Sequence, residues 1–346
     1  MKILANNHLW WARRVVMLPI YLFFFAIAVF FLVRLIPGDP VINAAGGQNQ
    51  THAQYLSTQK ALGLNGSIGH QLLTYLGNLV TLHLGTSFAS GSEVLADLIR
   101  VIPGTVETAL LASFGIVLLG FLVGTSVMLR PDSAVSRICV WIARAAGAVP
   151  DFVIGIFGIL VLYLLLHIAP APIGLFDVTL SAPPTVTGFP LIDALIAGDS
   201  AVFTSEIAHL WLPCLVLVLA YGPMLVKVLI PSIEAAAGAN STKFLVSTGW
   251  KNSTVLASVW RRAAPPAVAM FGTLFGYLLG GAVVVEQLFA LQGSANYAVN
   301  AVKRSDYLAL QGILLAIALI SLIVFLLVDI ITGVLDPRRR VFRAAS

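Results

Sequence analysis

Charge and cysteine are what this sequence has least of. Of its 346 residues only 10% are charged, where a typical soluble domain carries about 25%. A chain this long cannot cover a water-facing surface with so few charges, so a cytosolic globular enzyme is excluded. An intrinsically disordered protein is excluded too, because 59% of the residues are hydrophobic and such a composition must bury itself. The two cysteines, Cys139 and Cys214, both lie in apolar stretches and read as packing residues rather than as a disulfide or metal pair. The six histidines are scattered, with no Cys/His cluster, so no zinc site is expected. There is also no Gly-x-Ser-x-Gly, no His-Glu-x-x-His and no phosphate-binding glycine loop ending in Lys-Ser/Thr. Catalytic residues are therefore expected to be none, and any energy for transport must come from an ion gradient or a partner.

What is present is lipid-compatible chain, with a mean hydropathy of +0.95. A transmembrane helix needs about 20 mostly apolar residues. Six stretches qualify: 15–35, 105–129, 139–167, 210–230, 267–285 and 308–335. Their length and lack of period-2 alternation make them helices, so the expected fold class is an all-α membrane protein with six transmembrane helices. The first stretch follows Arg13 and Arg14 like a signal peptide, but no small-residue cleavage site comes after it. It is read as an uncleaved span. Pro150 is expected to kink or break the third.

The net charge of +5 reads here as topology, not nucleic-acid binding. With the N-terminus cytoplasmic, fifteen of the twenty Lys and Arg fall on the inside and five (Arg34, Lys60, Arg100, Lys303 and Arg304) on the outside. That bias places both ends in the cytoplasm. The expected organisation is a first span within 1–36, an outside segment over 37–102, a five-span core over 103–335 that includes an inside loop at 232–265, and a tail over 336–346. Within the outside segment, residues 71–84 carry Leu72, Leu73, Leu76, Leu79 and Val80 at helical spacing, an amphipathic helix for the membrane face.

Three groups of residues could carry function. Glu107, Asp151, Glu286 and Asp329 lie in or near spans and read either as a proton or cation relay or as boundary acids bonded to backbone. Gly272, Gly276 and Gly280, followed by Gly281, line one face of the fifth span, and Gly120 and Gly124 do the same in the second. Such faces admit close helix packing or sliding during gating. The inside loop is the third group. Asn240-Ser241-Thr242 and Asn252-Ser253-Thr254 offer N-caps for two helices, Gly249 sits where a left-handed terminal residue is wanted, and Pro265-Pro266 ends the second helix or hands it on to the fifth span. Trp250 reads as a knob for a partner's pocket or an anchor among headgroups.

Several strings in order carry a resemblance. They are Arg34-Leu35-Ile36-Pro37-Gly38-Asp39-Pro40, Gln71-x-x-x-Tyr75-Leu76-x-Asn78, His83-Leu84-Gly85-Thr86-Ser87, Pro103-x-Thr105-x-Glu107, Val149-Pro150-x-Phe152, and Thr187-Gly188-Phe189-Pro190. The last are Gly281-Ala282-Val283-Val284-Val285-Glu286, Asp306-Tyr307, Val328-Asp329 and Leu335-Asp336-Pro337-Arg338. Over nearly its whole length the chain resembles the permease subunits of bacterial oligopeptide/dipeptide ABC importers.

The resemblance implies the type I importer permease fold. Its partners would be a second homologous permease, two cytoplasmic ATPases that bind ATP and Mg, and an extracytoplasmic substrate-binding protein. Apart from lipid no other partner is expected, and no cofactor in this chain. The location would be the bacterial inner membrane and the cargo di- or oligopeptides. Nickel or another small solute, or a secondary carrier, are the alternatives. The resemblance places the ATPase-coupling residues at Lys243, Phe244, Ser247, Gly249, Trp250, Arg261 and Arg262, with 130–137 as a possible second contact. Glu234-Ala235-Ala236 mimics the docking triplet, but position 240 is Asn rather than glycine. The family-motif positions are Pro37, Gly38, Asp39, Pro40, Glu107, Pro150, Glu286, Asp329, Asp336 and Pro337.

Overall fold

The computed structural model describes residues 10–45, 51–130, 132–134, 136–138, 140–141 and 149–335. Cys139, Asp336 and Pro337 lie outside them, as do positions 131 and 135 of the expected second contact. Helix α1 spans Trp10–Val33, α2 Pro40–Ala44, α3 His52–Ala61, α4 Ile68–Val80 and α5 Val94–Leu129. Then come α6 (Asp151–Gly158, continued by a π-helical run Ile159–Leu165), α7 (Pro190–Ala197), α8 (Ser200–Gly238) and α9 (Asn240–Ser247). The last three are α10 (Asn252–Leu288), α11 (Ser294–Lys303) and α12 (Tyr307–Leu335).

Among the described residues five helices are long and apolar enough to cross a membrane: Arg14–Val33, Val94–Leu129, Ser200–Gly238, Asn252–Leu288 and Tyr307–Leu335. The expectation of six transmembrane helices is corrected to five. The apolar stretch 139–167 contributes only the helix Asp151–Leu165 among the described residues. Pro150 cannot donate an amide and pushes its predecessor out of helical geometry, so α6 starts at Asp151 with Pro150 at its extended cap, ψ 144°. The helix stops before His167, whose φ is +55°. Fifteen residues at about 1.5 Å each span roughly 22 Å, short of the roughly 30 Å hydrocarbon core. A hydropathy window sums across the proline and does not register the break.

The long helices reach beyond the apolar stretches that betray them. α5 begins eleven residues before the expected span, and α10 runs from Asn252 straight through Pro265 and Pro266. α8 likewise contains Pro213, Pro223 and Pro231. Prolines are tolerated in spans because neighbouring helices and side chains re-satisfy the freed carbonyls.

Close contacts set the directions. Gly115, Gly120 and Gly124 of α5 meet Val218, Leu225 and Ile233 of α8 in that order, so the two helices run parallel. α10 runs opposite to both, with Gly281 against Tyr221 and Trp260 beside Gly124. α12 is antiparallel to α10, with Phe325 on Gly272, and to α1, where Arg14 pairs with Asp329. The chain must therefore travel back between α5 and α8, and α6 covers only part of that return. It lies beside α8 from Tyr221, which bonds Asp151 at 2.8 Å, to Leu212, which packs on Gly158.

Two ends of the bundle result. One gathers the start of α1, the ends of α5, α8 and α12, and the start of α10, with Arg14, Arg130, Lys243, Lys251, Arg261 and Arg262; we call it the basic end. The other gathers Asp39, Glu107, Asp193, Glu286 and Asp306 and is called the carboxylate end. Between them a core of α5, α8 and α10 side chains, including Ile116, Leu217, Leu274 and Leu278, is fully buried.

Candidate docking element and the carboxylate end

At the basic end the chain leaves α8 at Ala239, whose extended backbone (φ −65°, ψ 145°) breaks the helix. α9 follows, then a reversal at Gly249 and Trp250. Gly249 has φ +73°, a conformation that costs a side-chain-bearing residue about 1 kcal/mol or more. The Gly249 amide donates to Val246 O and the Trp250 amide to Leu245 O, both at 3.1 Å. This is the Schellman pattern, which satisfies the last helical carbonyls.

The expected side-chain caps are not made. α9 and α10 begin at Ala239 and Lys251 without a side-chain hydrogen bond to their first amides. The hydroxyls of Ser241 and Thr242 instead accept from the Arg262 guanidinium of α10. Arg262 also donates to Ser258 O at 3.0 Å, and Thr242 donates to Ala236 O at 2.6 Å. Buried Thr242 thus ties together the end of α8, α9 and, through Arg262, α10. Of the expected coupling residues, Lys243, Phe244, Ser247, Gly249, Trp250 and Arg261 are exposed and Arg262 is half-buried. Phe244 and Trp250 are 64% and 55% accessible, with Val246 beside them at 62%. Glu234-Ala235-Ala236 lies within α8 and forms no separate element.

The glycine faces divide. A Cβ on Gly120 would press on Leu225 at 3.1 Å, and one on Gly124 would overlap Ile233 and Trp260 at 2.8 Å. A Cβ on Gly272 would lie 3.0 Å from Phe325, and one on Gly281 would overlap the Tyr221 ring. These four pack helices of this chain against one another. A Cβ on Gly276 or Gly280 would meet no other group within 4 Å among the described residues. The expected single face of three glycines is therefore closed at Gly272 and open at the other two.

At the carboxylate end, acids cap helix-start amides, Asp39 and Asp306 from their own N-terminal positions and Glu107 from a helix 84 residues away. Glu286 accepts from the Ala295 and Asn296 amides at 3.0 Å, at the start of α11, and from the Thr105 hydroxyl of α5. Thr105 in turn accepts from Ser294 N at 2.8 Å and Ser294 Oγ at 2.9 Å. Glu107 accepts from the Leu191 amide at 3.2 Å, at the start of α7. Asp306 accepts from Ser87 Oγ at 2.7 Å, Ala89 N at 3.2 Å and Ala309 N at 3.1 Å. Asp39 accepts from Val41 N at 2.8 Å, with Pro40 at the first helical position, and from the Tyr55 hydroxyl at 3.1 Å. These carboxylates complement the positive ends of helices and satisfy amides that would otherwise be orphaned.

Asp193 sits beside this group, in the segment before α8. Burial works to raise its pKa, but the Thr187 amide and hydroxyl (each 2.7 Å) and the Gly188 amide (3.0 Å) outweigh it and hold the carboxyl below its ordinary value. Of the acids that the sequence analysis singled out, Glu107 and Glu286 lie at this end, Asp151 bonds Tyr221 partway along α8, and Asp329 pairs with Arg14 at the other end. Pro37 and Gly38 follow α1, and Gly38 adopts φ +127°.

Sequence reasoning missed Thr105, Ser294, Ser87 and Asp193 as members of this network, and Glu206 altogether. The Glu206 side chain is fully buried on α8, and neither oxygen has a hydrogen-bond partner. Asp306 before an apolar helix was a readable cap signal. The others are joined only by the fold. Among the described residues no cluster of three or more His, Cys, Asp or Glu is placed to hold a metal ion.

A family model for the binding-protein-dependent transport system inner membrane component matches residues 116–341. The di/tripeptide transport system permease protein DppB of Pseudomonas aeruginosa is 29% identical over 334 residues, covering 95% of this chain and 98% of that protein. The dipeptide transport system permease protein DppB of Haemophilus influenzae is 30% identical over 90% of this chain and 93% of its own. The probable D,D-dipeptide transport system permease protein DdpB of Escherichia coli K12 is 31% identical, at 90% and 92% coverage.

Proposed function

The chain belongs to the family of binding-protein-dependent transport system inner membrane components, as a permease subunit of the peptide ABC importer kind, and we propose that it passes di- or oligopeptides inward. The names of its relatives support that cargo. The reading gives this subunit the pathway and the lever, and gives partners the energy. Those partners are a second homologous permease, two ATPases holding ATP and Mg, and a substrate-binding protein outside. The basic end faces the cytoplasm of the bacterial inner membrane, in keeping with the bias of Lys and Arg toward that side.

The observation that carries the coupling role is the geometry at the basic end. A short helix stands between the two longest helices of the chain, α8 and α10, of 39 and 37 residues. It is strapped to them by Thr242 and Arg262, and it exposes Phe244, Val246 and Trp250. Exposed aromatics are what a partner's pocket takes up. An ATPase that grips α9 would move both long helices together. Lys243 and Arg261 flank the contact with positive charge, and Gly249 sets the turn that presents it. The open glycines Gly276 and Gly280 offer a close approach to the second permease.

The test is Gly249→Pro in the complete importer reconstituted in liposomes. Proline cannot adopt a φ of +73° and removes the 249 amide that donates to Val246. The expected outcome is normal membrane insertion with ATP-driven uptake of a labelled dipeptide reduced at least tenfold. Wild-type uptake by that variant overturns the docking assignment. Uptake driven by a proton gradient in the absence of ATPases overturns the importer reading itself.

A further inference from the structure

A cavity between α4 and the neighbouring ends of α1 and α12 plays no part in the coupling just described. It is open to the exterior and encloses about 80 Å³. Arg34, Gln71, Tyr75 and Gln311 line it among mostly leucine and aromatic neighbours, and no Asp or Glu does. Arg34 donates to Phe30 O and Gln71 Oε1, each at 2.9 Å, and its guanidinium lies 3.4 Å from the Phe30 ring centroid. A guanidinium carries five N–H groups, so donors remain. Among the described residues the ion pairs are Arg14–Asp329 and Arg100–Asp97, and Arg34 is in neither. The Tyr75 hydroxyl, in the same cavity, is buried without a hydrogen-bond partner. A half-buried cation with no acid partner among the described residues and an orphaned O–H donor share one wall, a pairing that an anionic oxygen ligand would satisfy.

We propose that this cavity seats the phosphate of a membrane phospholipid. Its depth selects lipid over a soluble anion. The first span ends at Val33, so Arg34 stands at the edge of the hydrocarbon, the level of a headgroup phosphate. Beside it Phe31, Leu32 and Leu35 are 48%, 56% and 83% accessible, an apolar track for acyl chains. α4 covers the cavity as an amphipathic helix whose Leu73 and Val80 stay exposed, as in a helix lying in the interfacial plane. Arg34 and Tyr75 donate to the phosphate oxygens, Phe30 stacks under the guanidinium, and Gln71 holds its plane. The lipid would then fasten α4 to the α1/α12 pair.

The full chain in mild detergent is titrated with fluorescent short-chain phosphatidylglycerol. Arg34→Gln is expected to weaken binding about tenfold and Tyr75→Phe about threefold, as loss of one charged and one neutral hydrogen bond implies. Lys303→Gln, an exposed cation on the same side, is expected to leave binding unchanged. Wild-type affinity in Tyr75→Phe overturns the site, and that variant decides the matter even where Arg34→Gln fails to insert. Equal weakening by Lys303→Gln reduces the effect to general surface charge and overturns it too. Displacement of the lipid by inorganic phosphate at matching concentration assigns the cavity to a soluble anion instead.

Discussion

The two ends of the bundle treat their helix starts differently. At the carboxylate end, early amides of α2, α7, α8, α11 and α12 donate to Asp39, Glu107, Asp199, Glu286 and Asp306, while α5 starts there without a side-chain cap. At the basic end, α9 and α10 begin without side-chain caps. A side-chain cap is worth about 1 kcal/mol, and one supplied from a distant helix also fixes that helix in place. One end is therefore locked by bonds between segments up to 219 residues apart. At the other, α9 is tied to α8 and α10 through Thr242 and Arg262. The difference teaches that the carboxylate end is held by cross-helix hydrogen bonds, whereas α9 at the basic end rests on few.

The largest expected effect breaks the lock. Glu286→Ala orphans the buried Ala295 amide, the half-buried Asn296 amide and the Thr105 hydroxyl donor, and should lower stability by about 3 kcal/mol. The check is urea unfolding in mixed micelles, and a loss under 1 kcal/mol would erase the contrast. Next, Gly124→Leu should cost about 2 kcal/mol by overpacking against Ile233 and Trp260, whereas Gly276→Leu should leave this chain's thermal midpoint unchanged. Equal shifts would mean that the open and closed glycines are not distinct. Arg262→Ala follows, at about 1 kcal/mol in the same unfolding measurement, with a larger fractional loss of uptake than of stability.

The smallest effect is in acid. The pKa of Asp193 is depressed in the folded chain, so its contribution is fully present above the ordinary carboxyl value of about 3.9. It is lost as the pH falls below that value toward the folded one. Protonation of Asp193 should therefore add to acid unfolding, and Asp193→Asn should remove that part of the pH dependence without changing the profile above pH 6. An unaltered acid limb in the variant would show that the Thr187 and Gly188 bonds do not stabilise the charged form.

Parts of this were legible because they depend on neighbours in sequence. α12 starts within a residue of its apolar run, and Gly249 was readable as a left-handed terminus because the helix before it needed one. The break at Pro150 was legible from the proline itself, but that it leaves α6 too short to count as a span was not, because apolar residues lie on both sides of it. Nor was the split among Gly272, Gly276 and Gly280. Spacing put them on one face, but α12 reaches only the first. The Asn and Ser/Thr strings at 240 and 252 looked like caps. Tertiary contact with Arg262 drew Ser241 and Thr242 away to another bond.

By itself the sequence determined the solvent, the helical class, the basic-end bias and the family, because each is a sum over local properties such as apolar length, charge placement and ordered motifs. The tertiary structure alone decided which spans are complete, which glycines are filled and which acid meets which helix. Those outcomes depend on partners 100 to 200 residues away, as with Thr105 and Glu286. A local pattern states what a side chain needs, whereas only the packed bundle decides what supplies it.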